Sequence, residues 1–349
     1  MIEILRRHSF SITFLVILVV FVFLSRDGED DIHQLSGYTM GTTYQIQIVD
    51  MPNRVSSEDL AAEVSALLTE LDTGIFSTYA AESELSRFNR HAVNVPFIAS
   101  TQLLNVLQLA QSISEITDGT FDVTVGPLVN LWGFGPTIGV LDSIPPQERV
   151  NSVMESIGYR NLEIDAARSE IRKSKALYVD LSGIAKGYAV DQLAAYLDGL
   201  GVESYFLEIG GELKIKGLKP GGVSWVPAIE APLDMESRVY EIFYSRGETI
   251  GVAGSGDYRN YFEENGVRYS HEIDPRTGYP INHNLAAVYV IDPDTARADA
   301  LATAFMVLGL EEGRELAQRE NMSVYFIYKD SMSEFADFVT PGFEAYLNK

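Results

Sequence analysis

The stretch that decides the fold runs from Val179 to Asp191 and reads Val-Asp-Leu-Ser-Gly-Ile-Ala-Lys-Gly-Tyr-Ala-Val-Asp. The apolar residues Leu177 to Val179 predict a short strand that leads into it, and Ser182-Gly183 predicts a turn. Apolar residues then recur at helical spacing from Ala185 to Leu193, so a helix follows the turn. The N-terminus of such a helix has free backbone N–H groups and the positive end of the helix dipole, which together favour a bound anion.

Lys186 falls in the first turn of this helix, where a positive charge opposes the helix dipole. The unfavourable position suggests another role for the ammonium group, such as facing a phosphate. The alternative is that Lys186 is a solvated surface residue and that Gly183 serves only the turn. The stretch matches neither the Walker motif nor the Gly-x-Gly-x-x-Gly motif, so both interpretations stay open at this point.

The chain has 349 residues, which is enough for one large domain or for two interlocked ones. Its formal net charge of −23 argues against nucleic-acid binding, which needs a basic surface. An anionic ligand would therefore need a local basic group or a bound cation. The absence of cysteine excludes disulfides, thiolate metal sites, cysteine nucleophiles and lipidation of an N-terminal cysteine.

The first 26 residues predict a segment that associates with a membrane. Arg6 and Arg7 precede an uncharged stretch from Ser9 to Ser25, and acidic residues follow it, so we expect the N-terminus in the cytoplasm and the remaining chain outside it. The stretch is shorter than the ~20 residues of a comfortable span, which leaves a signal peptide as the alternative. Bulky residues from Phe21 to Leu24 stand where a cleavage site needs small ones, and they favour an uncleaved anchor.

The rest of the chain is interpreted as a polar linker over residues 27–35 and one domain over residues 36–349. Predicted strands and helices mix without a strict β-α-β rhythm, which is typical of the α+β class. We therefore predict a single large domain of two interlocked α/β subdomains around mixed sheets. A late helix is predicted from Ala296 to Leu310.

Asp299 and Thr303 are four residues apart on that late helix, so both side chains leave the same face. A carboxylate and a hydroxyl on one face suit a hard cation such as Mg²⁺, which takes oxygen ligands. The alternative is a solvated aspartate beside a packed threonine.

His271 lies in a polar turn near Asp274 and Arg276, where it could orient a ligand or move a proton. A hydrogen-bonded structural histidine is the alternative. Asp122 could equally stabilise an Asx-turn. Met40 and Tyr79 could pack on a flat ring, but both residue types also occur in ordinary cores.

Seven segments occur in an order that resembles one known family. They are Met40-Gly41-Thr42, Ser83 to Asn89, Asp118 to Leu128, Val179 to Asp191, Glu208 to Gly211, His271 to Pro280 and Ala298 to Gly309. In this order they resemble the FAD:protein FMN transferases, the ApbE family, over residues 36 to 348.

The resemblance implies an enzyme that binds FAD and Mg²⁺ and transfers the FMN half of FAD, through a phosphoester, onto a Ser or Thr of a target protein, with release of AMP. Family targets include subunits of ion-pumping redox complexes and other extracytoplasmic flavoproteins. Some relatives hydrolyse FAD to FMN and AMP, so an FAD pyrophosphatase is one alternative. A non-catalytic flavin carrier is another. The implied location is the periplasmic face of the bacterial inner membrane.

The resemblance also assigns roles to individual residues. The implied FAD contacts are Met40, Tyr79, Thr120, Phe121, Asp122, Asp180, Lys186 and Ile273. The implied Mg²⁺ ligands are the backbone carbonyl of Gly183 and the side chains of Asp299 and Thr303. His271 matches the motif histidine associated with transfer, and Asp180 is the alternative proton acceptor. Many relatives have a lipoprotein cysteine near the N-terminus, and its absence here leaves anchoring to the hydrophobic segment.

Overall fold

The structure is a computed structural model that describes residues 32–135, 144–233, 238–257, 261–264 and 267–348. The anchor predicted over residues 1–26 lies outside these ranges. In the described ranges no helix combines the length and the apolar character that a membrane crossing requires. The linker predicted over residues 27–35 overlaps the first strand, because residues 32–35 already pair with a neighbouring strand.

The helices, in chain order, are α1 Ser57–Thr69, α2 Glu84–Arg90, α3 Thr101–Ile116, α4 Gly126–Leu131, α5 Gln147–Met154, α6 Ala185–Gly199, α7 Thr295–Arg319 and α8 Pro341–Leu347. A π-helical segment, Glu70–Phe76, continues α1. Short 3₁₀ turns occupy Tyr159–Asn161 and Pro220–Gly222.

The strands, in chain order, are β1 Ile32–Thr39, β2 Thr42–Val49, β3 Phe97–Ile98, β4 Leu162–Asp165, β5 Glu170–Lys173, β6 Ser204–Ile209, β7 Glu212–Gly217, β8 Ala228–Glu230, β9 Val239–Ile242, β10 Gly247–Gly256, β11 Tyr261–Glu264, β12 Val267–Ser270, β13 Ile273–Asp274, β14 Tyr279–Pro280, β15 Leu285–Asp292, β16 Ser323–Lys329 and β17 Phe335–Val339.

Eight strands form a central sheet in the order β1-β2-β6-β7-β10-β15-β16-β17. All strand pairs among the described residues are antiparallel, in this sheet and in the four smaller ones. Tight turns can join antiparallel neighbours without a helical crossover, as Gly210-Gly211 joins β6 to β7. The predicted α+β class is confirmed, with antiparallel sheets in place of the expected mixed ones.

Both faces of the central sheet are covered. Strand β6 is buried along its whole length. Its side chains alternate between two hydrophobic clusters, with Leu207 in the one that holds α6 and α7 and Phe206 in the one that holds Trp225 and Phe343 of α8. Helices α6 and α7 therefore pack against one face of this sheet, and the packing fixes where their N-terminal ends lie.

Helices α6 and α7 approach closely near their N-termini. A Cβ atom placed on Gly187 would lie 2.4 Å from the Thr295 carbonyl oxygen, so only a glycine fits at this crossing. Two carboxylates span the contact: Asp191 Oδ2 accepts the N–H of Ala296 at 2.9 Å, and Asp299 Oδ2 accepts the N–H of Gly187 at 3.0 Å. These bonds set the first turn of α6 opposite the side chains of α7.

The strand predicted over Leu177 to Val179 is absent, because its backbone groups are satisfied in another way. The side-chain amide of Asn89 donates to the Val179 carbonyl and accepts from the Val179 N–H, both at 2.8 Å. The next N–H, that of Asp180, donates to the Val123 carbonyl at 2.7 Å. A single asparagine, 90 residues away, therefore replaces a neighbouring strand.

The late helix begins at Thr295, capped by Asp294, whose side chain accepts the N–H of Arg297. It continues to Arg319, beyond the predicted end at Leu310. Gly309 interrupts it with a φ of 76°, which explains why the sequence pattern stops there.

Candidate active site

A cavity of about 400 Å³ lies where the first turn of α6 and one face of α7 meet the ends of several strands. Segments far apart in the sequence line it: residues 120–125, residues 180–186, the β6–β7 turn, the end of β10 and residues 271–275. A concave site that collects polar groups from many segments is the usual form of a small-molecule site.

Ten of the twelve residues singled out in the sequence line this cavity: Thr120, Phe121, Asp122, Asp180, Gly183, Lys186, His271, Ile273, Asp299 and Thr303. The other two lie elsewhere. Met40 occupies the β1–β2 turn with a φ of 48°, and its N–H donates to Asp72. The Tyr79 side chain is 78% exposed. FAD contacts by these two residues stay predictions.

Lys186 sits between two buried carboxylates. Its Nζ lies 2.8 Å from Glu212 Oε1 and 3.9 Å from Asp299 Oδ1. Burial by itself lowers the pKa of Lys186, but the charges of Asp299 and Glu212 outweigh it and raise the pKa above its ordinary value. The ammonium group is therefore charged at neutral pH, and the alternative of a solvated surface lysine is wrong.

One ammonium group does not balance the negative charges of the two carboxylates, Glu212 and Asp299. Burial raises the pKa of both Glu212 and Asp299, although the neighbouring ammonium acts in the opposite direction. Glu212 Oε2 is buried and has no hydrogen-bond partner among the described residues. Two carboxylates against one ammonium leave an excess of negative charge when ionised, which favours a further cation in the cavity.

The residues predicted to hold Mg²⁺ fit that ion by their chemistry. One Asp299 oxygen accepts a backbone N–H, and the other faces the Lys186 ammonium at 3.9 Å, beyond hydrogen-bond distance. A Cβ atom placed on Gly183 would lie 3.2 Å from Thr303 Oγ1, so the backbone of Gly183 and the hydroxyl of Thr303 are neighbours. Carboxylate, hydroxyl and carbonyl oxygens are the ligands that Mg²⁺ prefers.

The described residues contain no group of three or more acidic or histidine side chains arranged to hold a metal. A single carboxylate supplies the fixed charge of this site. Mg²⁺ commonly keeps water or substrate phosphates in several of its positions, so one carboxylate with two neutral oxygens is compatible with it.

Asp122 lines the cavity, but the protein itself engages both of its oxygens. Oδ1 accepts the N–H of Thr124 at 2.8 Å and its hydroxyl at 2.6 Å, and Oδ2 accepts the N–H of Tyr159 at 2.9 Å. Burial raises the pKa of Asp122, and the bonds from Thr124 partly offset this. The contacts with Thr124 are those expected of an Asx-turn. Through them the Asp122 carboxylate fixes the loop that carries Phe121.

Asp180 has a different environment. Its Oδ1 accepts the N–H of Ser182 at 2.8 Å, while its own N–H is tied to Val123. Because the Asn89 amide fixes the preceding residue, the Asp180 carboxylate has a defined position at the cavity wall.

Three cavity residues carry polar groups to which the sequence assigned no role. Glu212 begins the strand after Gly210-Gly211, and Ser255 lies in the glycine-rich end of β10. Glu272 follows His271 directly. Glu212 opens a strand that also carries Lys214 and Lys216, so its charge alone gave no signal of a buried site residue.

The profile of the ApbE family matches residues 40–326. The FAD:protein FMN transferase of Vibrio cholerae is 45% identical over 315 residues, which cover 90% of this chain and 92% of that protein. The FAD:protein FMN transferase of Haemophilus influenzae is 42% identical over 306 residues, which cover 86% of this chain and 88% of that protein. The crystal structure of the flavinyl transferase ApbE of Pseudomonas stutzeri, in its apo form, superimposes with a TM-score of 0.83 at 40% identity and covers 91% of this chain and 97% of that one.

The family profile covers most of the chain, and the curated relatives match it along nearly their whole length. The resemblance stated from the sequence motifs is thereby confirmed, together with the prediction of a flavin-transferase enzyme. The matched residues include the cavity, the crossing of α6 and α7 and most of the antiparallel sheet. This chain is a member of the ApbE family.

Proposed function

We propose that the chain transfers the FMN half of FAD, through a phosphoester bond, onto a Ser or Thr of a target flavoprotein and releases AMP in a Mg²⁺-dependent reaction. Two of its relatives are named FAD:protein FMN transferases, which supports the transfer of FMN from FAD to a protein. The observation that carries the proposal is the meeting of Lys186, Asp299 and Thr303 in one cavity at the N-terminus of α6.

Each residue has a distinct part in the proposed reaction. Gly183, Asp299 and Thr303 would hold Mg²⁺, which when bound neutralises the pyrophosphate and the charge that develops during transfer. Lys186 binds the phosphates through its ammonium group. The N–H groups of Ile184, Ala185 and Gly187 at the start of α6 already donate to Leu181 and Asp299, so the helix end contributes its dipole rather than free donors. His271 accepts the proton of the acceptor hydroxyl, and Asp180 is the alternative acceptor.

The reaction is tested by incubating the purified protein with FAD, Mg²⁺ and a candidate acceptor, such as a flavoprotein subunit of an ion-pumping redox complex. We expect flavin fluorescence on the acceptor in a denaturing gel, and a mass increase equal to FMN minus water on one Ser or Thr. Omitting Mg²⁺ or adding a chelator should abolish the label.

The same reaction mixture separates the alternatives. Free FMN and AMP without labelled acceptor would indicate an FAD pyrophosphatase, and bound but intact FAD would indicate a carrier. Either result, obtained with every plausible acceptor, would contradict the proposed transfer.

We also propose that residues 1–26 anchor the protein at the periplasmic face of the inner membrane, as the charge asymmetry around residues 9–25 supports. We expect the whole chain to stay in membranes washed with alkaline carbonate, and a chain that begins at Asp27 to be released. Release of both forms would contradict the anchor.

A further inference from the structure

The side chains around His271 form a series of contacts that the reaction above leaves without a role. Ser255 Oγ donates to Glu272 Oε1 at 2.9 Å, and the same oxygen lies 3.6 Å from His271 Nε2. All three residues line the cavity, and the Glu272 side chain is only 11% exposed. A nearly buried carboxylate therefore faces one nitrogen of the imidazole and is itself held by a hydroxyl.

The backbone explains why two consecutive residues reach the same cavity. Neighbouring residues of a regular strand point to opposite faces, but His271 and Glu272 lie between β12 and β13, where the strand is interrupted. Ser270 Oγ accepts the N–H of Glu272 at 3.1 Å, and the N–H of Ile281 donates to the Glu272 carbonyl at 3.0 Å. These two bonds fix the Glu272 backbone and give its carboxylate a defined position beside the ring.

The two nitrogens of His271 differ in their surroundings. Nε2 is the nitrogen near Glu272, whereas Nδ1 is buried and has no hydrogen-bond partner among the described residues. A buried polar atom without a partner costs free energy and calls for an explanation, such as a substrate group that binds there. Nδ1 is thus the nitrogen left for a proton that arrives with the substrate, and taking that proton requires the ring to turn Nδ1 from its buried position into the cavity.

We propose that Glu272 is a positioning residue that sets the tautomer of His271, so that Nδ1 accepts the proton of the acceptor hydroxyl. The proposal rests on the proposed FMN transfer. A small closure of the 3.6 Å gap lets Nε2–H donate to the carboxylate, which leaves the lone pair on Nδ1. Apo catalytic sites often have such long contacts, which tighten when the substrate binds.

The transfer forms one bond to phosphorus and breaks another. The acceptor oxygen forms a bond to the phosphorus of the FMN half, and its proton moves to His271 Nδ1. The bond between that phosphorus and the bridging oxygen breaks, and both electrons leave with the oxygen on AMP. The Glu272 carboxylate stabilises the imidazolium that results, as the orienting carboxylate does in other histidine bases.

The first experiment measures transfer by a Glu272→Gln variant, alone and combined with His271→Ala. We expect the single variant to lose about 10- to 100-fold in kcat, while KM for FAD changes less than about threefold. In the His271→Ala background, the same change should cost less than about twofold, because the residue it acts through is absent. If the loss of kcat in the double variant equalled the product of the losses in the two single variants, the proposal would be overturned.

Glu84→Gln is the matched control for the removal of a buried carboxylate. Glu84 is buried outside the cavity, and it accepts the N–H of Ser100 at 2.6 Å. We expect this variant to lower the melting temperature and keep its kcat for transfer. An equal loss of kcat in Glu84→Gln and Glu272→Gln would mean that Glu272 acts through stability alone, and it would overturn the proposal.

The second experiment needs no catalysis. Long-range ¹H–¹⁵N correlation spectra of the histidine-labelled apo protein report the tautomer, and the His271→Ala spectrum identifies the signal of His271. We expect the Nε2–H form in the parent chain and a mixed or Nδ1–H form in Glu272→Gln. An identical tautomer in both would overturn the proposal. A chain that shows the expected tautomers but labels no acceptor would contradict the proposed function alone.

Discussion

Asp299→Asn is expected to lower kcat for FMN transfer by about 100-fold or more at saturating FAD and Mg²⁺. Asparagine keeps an oxygen that can accept the N–H of Gly187, so the contact between α6 and α7 survives. It removes the one charged group among the proposed metal ligands. Removing the Thr303 hydroxyl in Thr303→Val should have a smaller effect of about 10-fold, because a neutral ligand is lost.

Asp294→Asn is the matched control for this prediction, since it makes the same change five residues earlier, at the N-cap of the same helix. Asp294 caps α7, and asparagine caps helices as well as aspartate does. We expect this variant to keep its transfer rate. Mn²⁺ binding, followed by electron paramagnetic resonance, should weaken in Asp299→Asn and not in Asp294→Asn. Full activity of Asp299→Asn in Mg²⁺ would rule out the metal assignment.

Gly187→Ala is expected to lower the free energy of unfolding by about 3 kcal/mol and to reduce transfer as well. The added methyl group would lie 2.4 Å from the Thr295 carbonyl oxygen and 2.8 Å from the Ala296 Cα. Both obstacles are backbone atoms, so the two helices must move apart. The movement would separate Lys186 from Asp299, which face each other across the same contact.

Gly199→Ala, at the other end of α6, provides the comparison for Gly187→Ala. A Cβ atom at Gly199 would meet nothing within 4 Å. Alanine is the better helix former, so we expect the stability to stay unchanged or to rise by up to about 1 kcal/mol. Urea unfolding followed by tryptophan fluorescence measures both variants. If Gly187→Ala were as stable as Gly199→Ala, the close crossing of α6 and α7 would be wrong.

The candidate site was predictable wherever its residues share one short element. Asp299 and Thr303 are neighbours on a helix by spacing alone, and α7 places both at the cavity. Lys186 was recognisable as unusual because a cation in the first turn opposes the helix dipole. The α+β class likewise followed from the mixture of local patterns.

Other features depend on partners that are distant in sequence. Glu212, which pairs with Lys186, starts a strand 26 residues later. Asn89 satisfies Val179 across 90 residues and replaces the strand that the apolar run predicted. The contact of Glu272 with His271 needs an interrupted strand, which periodicity cannot indicate, and the antiparallel order of the sheet depends on how the hairpins pair.

The sequence by itself determined that α6 and α7 form, which of their faces are apolar and which family the motifs resemble, because periodicity and turn chemistry act over a few residues. Only the tertiary structure decided that two carboxylates share one ammonium, that Gly187 lets two helices touch and that a carboxylate faces the histidine. These contacts arise when buried faces of distant segments pack together, and the free energy that selects them belongs to the whole core rather than to any local stretch.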